Sequence, residues 1–282
     1  MISITIPTYN RAPLITRAIL SIKKQSFKDW ELLIVDDGST DNTSEIIKPF
    51  LNDERIRYIF KENSGAAHSR NVGVENSNFQ YITFLDSDDE AKEDWLEKIY
   101  EEIEVDQPDL ICCGCEIIDE KGILKEVKLP DAKPELFGNL KYKMTNGGVF
   151  VLKKEMFNRV GGYDANLKSG QHTELSFRII PEILDSKGLI TNIEESLIKI
   201  HIHLGERIRG NAKAKYLGSK RTLEKHSKFF ENRKLAKSLY SGVLAYNASE
   251  IGERTDARKY SIISFRAAPS FKRFLRILKY SV

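Results

Sequence analysis

Acidic residues follow the apolar run at residues 81–85, and two of them are separated by a single serine. Asp86 and Asp88 flank Ser87, and in an extended chain the side chains at i and i+2 project to the same side. Carboxylate oxygens suit Mg²⁺ or Mn²⁺, ions that keep positions open for water and for substrate phosphates. The motif predicts a site for a metal and a diphosphate; the alternative is an acidic turn that caps the next helix.

A second acidic pair, Asp36 and Asp37, follows the apolar run at residues 31–35. Residues 39–41 are Ser, Thr and Asp, types that are common in turns and at the start of helices, so part of this motif has a purely structural explanation. A carboxylate at a strand end can also accept a hydrogen bond from the ring N–H of a nucleobase. Tyr9 follows the first strand and offers a flat face for the same base.

A third motif covers residues 63–71 and includes Asn63, Gly65 and Arg70 at the start of a predicted helix. The free N–H groups and the positive dipole end of a helix favour an anion. Arg70 is placed to reach a base or phosphates, and a salt bridge to an acidic residue is the alternative. The segment is neither a Gly-x-Gly-x-x-Gly loop nor a Walker sequence, so neither a dinucleotide cofactor nor an ATP-type phosphoryl-transfer site is indicated.

Strand-like apolar runs alternate with amphipathic helical runs up to residue 85. This alternation predicts an α/β fold with a doubly wound, mostly parallel sheet flanked by helices, and the three motifs then meet beyond the carboxyl ends of the strands. Pro13 is expected in the first turn of its helix. The predicted strands are residues 2–7, 30–35, 56–60 and 81–85, and the predicted helices are residues 13–24, 43–51 and 66–75.

The remainder of the chain is less regular, and a boundary is predicted near Gly205. Beyond that boundary we expect a C-terminal helical appendage. Before it, the predicted helices are residues 94–104 and 174–184, and the predicted strands are residues 109–118, 123–129, 146–152 and 196–203. After it, the predicted helices are residues 216–230, 235–251 and 269–280.

The composition is that of a folded globular protein, with 41% hydrophobic and 30% charged residues. No apolar run approaches the roughly 20 residues that a membrane-spanning helix needs, and the first residues lack the features of a signal peptide. We therefore expect a cytoplasmic protein. The three cysteines, Cys112, Cys113 and Cys115, suit neither a disulfide framework nor a zinc pair, and we expect them to be buried.

Charge is distributed unevenly along the chain. Residues 1–204 contain 25 Lys/Arg and 35 Asp/Glu, a net charge of −10, whereas residues 205–282 contain 19 and 6, a net charge of +13. The final predicted helix combines Phe and Leu with Lys and Arg, a pattern typical of an anchor on an anionic membrane surface. Packing of that Phe/Leu stripe on neighbouring helices is the alternative. No nucleic-acid-binding motif accompanies the basic residues, so nucleic acid is not an expected partner.

Four motifs occur in an order that resembles the family 2 glycosyltransferases of the GT-A fold. They are residues 4–11 (Ile-Thr-Ile-Pro-Thr-Tyr-Asn-Arg), 35–41 (Val-Asp-Asp-Gly-Ser-Thr-Asp), 63–73 with Arg70-Asn71-x-Gly73, and 85–89 (Leu-Asp-Ser-Asp-Asp). Residues 1–204 resemble a GT-A domain, with a nucleotide-sugar-binding half at 1–110 and an acceptor-binding half at 111–204. Residues 205–282 would form the basic helical C-terminal region.

The resemblance implies an inverting transferase that uses a nucleotide-diphosphate sugar, usually a UDP-sugar, and a divalent metal, Mn²⁺ or Mg²⁺. It implies that Asp86 lies near the ribose or sugar and that Asp88 binds the metal. The candidate residues for binding the nucleotide-sugar are Pro7, Thr8, Tyr9, Arg11, Asp37, Asn63, Gly65, Arg70, Asp86 and Ser87.

The second half carries a Gly-Gly-Tyr-Asp turn at residues 161–164 and then departs from the family pattern. His172 stands where the family has its catalytic aspartate. A neutral imidazole, with an ordinary pKa of about 6.5, can take the proton of an acceptor hydroxyl. Glu174 is the second candidate base, and loss of activity is a third outcome. A histidine often completes the metal site in this fold, and His203, or else His201, is expected to do so here.

The expected function is transfer of a sugar from a nucleotide-diphosphate sugar to an acceptor hydroxyl in the synthesis of a bacterial surface polysaccharide or another glycan. The acceptor is expected to be a glycan or a lipid-linked molecule, on the inner face of the cell membrane if the basic helix binds there. The alternative is a catalytically impaired homologue, or a partner subunit, that binds the donor without turning it over.

Overall fold

The structure is a computed structural model that describes residues 1–202 and 211–280. The chain forms two compact units. The first contains residues 1–131, 141–165 and the described residues from 175 to 202; the second contains residues 132–140, 166–174 and the described residues from 211 onward. The expectation for His203 lies outside the described residues.

The first four strands form the parallel part of the sheet in the first unit. They are β1 (Ile2–Thr8), β2 (Trp30–Asp36), β3 (Ile56–Phe60) and β4 (Tyr81–Phe84), in the order β3-β2-β1-β4. Every residue of β1, β2 and β4 is buried, as expected for strands covered on both faces. The predicted strands are confirmed to within one residue at each end, so the ends of all four point to the same edge.

The helices of this half are α1 (Ile15–Lys23), α2 (Thr43–Ile47) with a following 3-10 helix (Lys48–Asn52), α3 (Ala66–Glu75) and α4 (Trp95–Asp106). The predicted bounds of α3 are confirmed. The expectation for Pro13 is wrong, because α1 begins at Ile15 and Pro13 lies in the turn before it. That turn is closed by the N–H groups of Leu14 and Ile15, which both donate to the carbonyl of Arg11.

The sheet continues with strands of both directions. The remaining strands are β5 (Glu90–Ala91), β6 (Leu110–Ile118), β7 (Leu124–Lys128), β10 (Phe150–Lys153) and β11 (Ile190–His201), while β8 (Asp131–Ala132) and β9 (Lys141–Tyr142) form a separate two-stranded sheet. Strand β10 runs antiparallel between β4 and β6, and β11 is parallel to β6. The sheet is therefore mixed, parallel in its first half and largely antiparallel in its second.

Three helices lie between β8 and β11 in the sequence: α5 (Pro134–Phe137), α6 (Lys154–Arg159) and α7 (Gln171–Asp185). Helix α7 begins three residues before the predicted start, which places His172 in its first turn. Strand β11 also begins earlier than predicted, at Ile190, and its pairing with β6 contains two register shifts.

The second unit is built mainly from α8 (Ala212–Lys225), α9 (Ser227–Glu231), α10 (Lys234–Glu250), α11 (Arg254–Ala267) and α12 (Phe271–Lys279). The prediction of a single helix at residues 216–230 is wrong, because the helix is interrupted at His226, which separates α8 from α9. Helix α11 was not predicted at all. Within the described residues, no helix is both long enough and apolar enough to cross a bilayer.

Helices α10 and α11 pack through small polar residues. The Ser238 hydroxyl donates to the carbonyl of Ser264 at 2.7 Å, and the Ser264 hydroxyl donates to the carbonyl of Ser238 at 2.7 Å. Both side chains are buried, and this reciprocal pair satisfies their hydroxyl groups. The close approach of the two helices therefore depends on hydroxyl–carbonyl bonds as well as on apolar contact.

The three cysteines are free and buried in β6, so the prediction for them is confirmed. Burial raises the pKa of the Cys112 thiol to about 12. A thiol with so high a pKa is not a nucleophile at neutral pH, and these side chains serve as core packing.

Candidate functional site

The loops after β1 and β2 are tied together by backbone and side-chain hydrogen bonds. Thr8 and Asp36 are register partners at the ends of these strands, and the Asp37 N–H donates to the Thr8 carbonyl at 2.8 Å. Asn10 has a φ of +50°, and its side-chain oxygen accepts the Thr40 N–H at 2.8 Å. The two loops therefore form one polar edge, as the sequence predicted for parallel strands.

The two adjacent aspartates have different surroundings. Asp36 is fully buried and accepts the Ser39 N–H at 2.8 Å and the Tyr58 hydroxyl at 2.7 Å. Burial, and then the carboxylate of Asp36, raise the pKa of Tyr58. These bonds close the turn after β2, so Asp36 has a structural role.

Asp37 joins the end of β2 to the start of α3. Its Oδ1 accepts the Ser64 N–H at 2.9 Å, and its Oδ2 accepts the Gly65 N–H at 2.8 Å. The Lys61 ammonium forms an ion pair with the same carboxylate. Gly65 has a φ of +95°, a conformation that favours glycine. The sequence predicted that N–H groups at the start of α3 would be available to an anion. Two N–H groups there, those of Ser64 and Gly65, instead donate to Asp37.

Arg70 and Asp86 form an ion pair beyond the ends of β1 and β4. The Arg70 guanidinium donates to Asp86 Oδ1 at 2.6 Å and lies over the Tyr163 ring, 5.6 Å from its centroid. The Arg70 side chain is 6% exposed and that of Asp86 is 27% exposed. The salt bridge that was the alternative for Arg70 is therefore present, and it holds Asp86 at the edge of the site.

The Asp-Ser-Asp motif lies in a tight turn, so the expectation of an extended chain there is wrong. The Asp89 N–H donates to the Asp86 carbonyl at 3.0 Å, and Ser87 and Asp88 occupy the turn. The side chains at 86 and 88 are therefore not aligned by strand geometry. Ser87 is buried, Asp88 is half-buried, and the Arg17 guanidinium donates to the Asp88 carbonyl.

The remaining donor-site candidates lie on the same polar edge. Pro7 and Thr8 are buried at the end of β1, and Thr8 Oγ1 has no hydrogen-bond partner among the described residues. Tyr9 is 45% exposed, which leaves its ring accessible for stacking. The Arg11 N–H donates to the Thr43 hydroxyl at 3.0 Å, and Asn63 is exposed beside the Asp37-bound loop.

His201 ends β11 beside the acidic turn. Its N–H donates to Asp89 Oδ1 at 3.1 Å, and its Nε2 lies 3.2 Å from Glu90 Oε2. Burial, and then the charge of Arg17, lower the pKa of His201, although Glu90 opposes this change. The imidazole is therefore mostly neutral at pH 7 and is engaged by Glu90, which competes with the metal-ligand role expected for it.

The described residues contain no group of three or more His, Cys, Asp or Glu side chains arranged to hold a metal. A Mg²⁺-type ion bound to a diphosphate needs only one or two protein carboxylates, because substrate phosphates and water supply the other ligands. Asp88 is half-buried, two residues after the carboxylate of Asp86. Asp88 could supply one such carboxylate, whereas Asp86 is already paired with Arg70.

The candidate bases lie at the start of α7, in the second unit. His172 is partly exposed in the first turn of α7. The Glu174 side chain has no exposure, and its Oε1 lies 2.8 Å from Lys225 Nζ and 2.9 Å from His226 Nε2. Sequence reasoning missed both of these partners. The available signal was their place at the C-terminal end of α8, where basic side chains are favoured.

Two further residues that sequence reasoning missed hold the Gly-Gly-Tyr turn in place. The Asn71 side chain donates to the Tyr163 carbonyl at 2.9 Å and accepts the Tyr163 N–H at 2.8 Å. The Arg178 guanidinium donates to the carbonyls of Val160 and Gly162 at 2.7 and 2.6 Å. Asn71 lies within a quoted motif, but the sequence did not indicate this role, because its contact joins residues 92 positions apart along the chain. The contacts of Arg178 join residues 18 and 16 positions apart.

A family model described as glycosyl transferase family 2 matches residues 3–161. This match covers more than half of the chain and includes the strand ends and the Asp-Ser-Asp turn. The chain therefore belongs to glycosyltransferase family 2, a family of enzymes, and the resemblance seen in the sequence is confirmed.

Known proteins similar to this chain agree with that assignment. The glycosyltransferase GlyG of Streptococcus pneumoniae is 31% identical over 180 residues, which are 57% of this chain and 59% of GlyG. TuaG of Bacillus subtilis, named for teichuronic acid biosynthesis, is 44% identical over 100 residues, 35% of this chain and 40% of TuaG. The chain thus spans less than two thirds of the length of these curated relatives.

Among solved structures, residues 1–349 of S. aureus TarS in complex with UDP-GlcNAc resemble this chain with a TM-score of 0.66 and 17% identity. The similarity covers 99% of this chain and 91% of that one. At this identity the similarity establishes the fold alone, and it confirms the expected GT-A architecture with a C-terminal helical region.

Proposed function

We propose that this protein transfers a sugar from a UDP-sugar to an acceptor hydroxyl, with inversion at the anomeric carbon. The observation that carries the proposal is the polar edge at the ends of β1, β2 and β4. An accessible aromatic ring (Tyr9), a buried carboxylate (Asp37), and the Arg70–Asp86 pair lie there together with Asp88. These are the group types needed for a base, a ribose and a metal-bound diphosphate.

The uridine would be held by Tyr9 and Asp37. A carboxylate oxygen can accept more than one hydrogen bond. Asp37 can therefore keep the Ser64 and Gly65 N–H groups and also accept the ring N–H of uracil. Tyr9 would stack on the base, and the Thr8 hydroxyl, which lacks a partner among the described residues, would gain one from the nucleoside. Arg70 would keep Asp86 turned toward the ribose.

Asp88 would hold a Mn²⁺ or Mg²⁺ ion, whose chemistry is to neutralise charge on the leaving nucleoside diphosphate. The Arg17 guanidinium fixes the Asp88 carbonyl and so sets the shape of the turn that carries this carboxylate. Whether His201 or His203 adds a ligand stays a prediction.

His172 is the base in this proposal. It is partly exposed, whereas Glu174 is fully buried and already accepts contacts from Lys225 and His226. The Glu174 side chain has no exposed surface through which an acceptor hydroxyl could reach it, whereas the Asp37 side chain is 6% exposed. Glu174 instead fixes the first turn of α7, which carries His172. Imidazole would take the hydroxyl proton as the oxygen attacks the anomeric carbon, and the bond to the diphosphate breaks on the opposite face.

We place this activity in the synthesis of a bacterial surface polysaccharide or another glycan, at the cytoplasmic side of the cell membrane. The acceptor would be a glycan or a lipid-linked molecule. The similarity to TuaG, named for teichuronic acid biosynthesis, and the fold shared with TarS, solved with UDP-GlcNAc, support this setting and a UDP-linked donor.

Titration calorimetry tests the donor site. UDP should bind in the presence of Mn²⁺, and Asp88→Ala should weaken that binding at least tenfold, about 1.4 kcal/mol. Asp106→Ala, which changes an exposed aspartate at the end of α4, is the matched control and should bind as the wild type does. CDP should bind less tightly than UDP, because cytosine lacks the ring N–H offered to Asp37. Absence of binding by any nucleotide would contradict the proposal.

A catalytically impaired donor-binding protein is the second candidate, and the histidine at position 172 favours it. The two candidates differ in turnover. Incubation with UDP-sugars and a set of glycan acceptors, with UDP release as the readout, should show activity that His172→Ala removes and His172→Asp retains. UDP binding without any UDP release would favour the impaired protein.

A further inference from the structure

We infer that α12 docks on an anionic lipid surface through its exposed apolar face. The helix covers Phe271–Lys279, and none of its residues is buried. Four large apolar side chains are exposed, from 43% for Phe274 to 75% for Phe271; the other two are Leu275 and Leu278. At 100° per residue these four occupy a single stripe, because they follow the i, i+3, i+4, i+7 spacing.

The other side of α12 carries only basic charge. Lys272, Arg273, Arg276 and Lys279 are its four charged residues, and it contains no acidic residue. An apolar stripe bordered by cationic side chains matches the boundary between acyl chains and anionic headgroups. Each Lys or Arg near such a surface adds favourable attraction to anionic lipid.

The helix is held in place by contacts of its polar side and by Phe274, whose ring centroid lies 6.1 Å from that of Phe265 in α11. Phe271, Leu275 and Leu278 form the more exposed part of the stripe. The Ser270 hydroxyl caps its first turn by accepting the Arg273 N–H at 3.3 Å. The Arg273 guanidinium donates to the Ala268 carbonyl at 3.0 Å. The Arg276 guanidinium lies against Gly242 of α10, at a place where a side chain would collide with it. These contacts orient α12 before any membrane is present.

Charge complementarity decides between a lipid surface and a second copy of the chain. Residues 205–282 carry a net charge of +13. Pairing of two copies through α12 would bring two such basic surfaces together, and like charges repel. An anionic membrane instead offers the opposite charge and an apolar layer at the same place. The inference goes beyond the proposed transfer reaction, because it needs neither donor nor acceptor.

Cosedimentation with vesicles tests the inference without any nucleotide. Full-length protein should bind vesicles made of equal parts phosphatidylglycerol and phosphatidylcholine, and should bind pure phosphatidylcholine at least tenfold less. Phe271→Ser with Leu278→Ser should reduce binding at least tenfold. Lys272→Gln with Lys279→Gln should reduce it about 30-fold and make the remaining binding less sensitive to salt than that of the wild type.

The matched control is Leu239→Ser with Val243→Ser, which removes two exposed apolar side chains from α10 and should leave binding unchanged. Circular dichroism and UDP titration of every variant show that the fold and the donor site are intact. Equal binding to both vesicle types, or no effect of the α12 variants, would overturn the inference. Self-association in solution that the α12 variants abolish would also overturn it and identify a second copy as the occupant.

Discussion

Two buried carboxylates, one in each unit, have different partners: Asp37 accepts two backbone N–H groups and also pairs with Lys61, whereas Glu174 pairs with two side chains. Asp37 accepts the N–H groups of Ser64 and Gly65 in the loop that leads into α3. Glu174, in contrast, lies between Lys225 and His226, about 50 positions further along the chain. Both arrangements satisfy a buried charge, but they constrain the chain differently.

Backbone partners are set by the course of the loops, and the course of these loops is set by the strands that they follow. The sheet therefore determines the partners of Asp37 at the polar edge of the first unit. Side-chain partners depend on which residues face each other across helices, so the second unit holds the first turn of α7 through the residue types at positions 174, 225 and 226. An isosteric amide should therefore be tolerated less well at Asp37 than at Glu174. At Asp37 both oxygens accept N–H groups, whereas the described contacts of Glu174 with Lys225 and His226 are to one oxygen, which glutamine keeps.

Replacement of Asp37 with alanine should have the largest effect. It leaves two N–H groups without their acceptor and a mostly buried Lys61 without its counter-ion, so we expect a loss of about 3 kcal/mol in unfolding free energy. Urea denaturation measures this loss, and UDP titration should show binding reduced beyond detection. Asp37→Asn should lie between alanine and the wild type; an asparagine variant as stable as the wild type would contradict the backbone-bonding account.

Gly162→Ala should cost about 2 kcal/mol, since a Cβ there must adopt left-handed backbone and crowds its neighbours. Gly162 has a φ of +65°, and a Cβ would lie 2.9 Å from Asn71 Oδ1 and 3.0 Å from the Phe157 ring. Gly161, with a φ of +80° and no atom within 4 Å of such a Cβ, is the matched control. If Gly161→Ala and Gly162→Ala lower the unfolding free energy in urea equally, backbone strain accounts for the whole loss and crowding at Gly162 adds nothing to it.

Glu174→Gln should cost about 1 kcal/mol, because the amide oxygen still accepts hydrogen bonds but no longer carries charge. Glu174→Ala should cost about 3 kcal/mol, since it removes the acceptor altogether and leaves His226, whose side chain is 10% exposed, and the more exposed Lys225 without it. Thermal unfolding of the two variants gives the comparison. Equal losses of unfolding free energy for Glu174→Gln and Asp37→Asn would show that the two carboxylates respond alike to an isosteric amide.

Asp256→Asn should have the smallest effect, a loss of at most about 1 kcal/mol at pH 7. Asp256 lies 2.8 Å from the partly exposed Lys220 and accepts the Tyr216 hydroxyl at 2.6 Å. Burial opposes ionisation of Asp256, but the hydrogen bonds from Lys220 and Tyr216 outweigh it and lower its pKa. A lowered carboxyl pKa stabilises the fold above its unfolded pKa and loses that effect as the pH falls through the folded pKa.

Wild type and Asp256→Asn should therefore differ most near neutral pH, and the difference should narrow once the pH falls below about 4. Unfolding of both proteins in urea at a series of pH values measures this difference in unfolding free energy. A difference that is constant down to pH 3 would assign the effect to packing rather than to charge.

The strands and the donor loops could be predicted because local signals agree there. Apolar runs such as residues 30–35 end at polar residues, and parallel strands place those ends at one edge. Helix α11 could not be found in the same way, because its buried face includes Ser261 and Ser264 in place of large apolar residues. The pairing of Glu174 with Lys225 and His226 depends on tertiary packing, which the spacing of these residues along the chain does not predict.

The α10–α11 pair also has a consequence for how the second unit folds. Only residues 251–253 separate the two helices, so their contacts, including the Ser238–Ser264 pair, need almost no loop closure. Residues 132–140 and 166–174 join the same unit from far away in the sequence. Local contacts form quickly and distant ones slowly, so the α10–α11 hairpin is the natural nucleus of this unit, and its amide protons should be among the last to exchange with solvent.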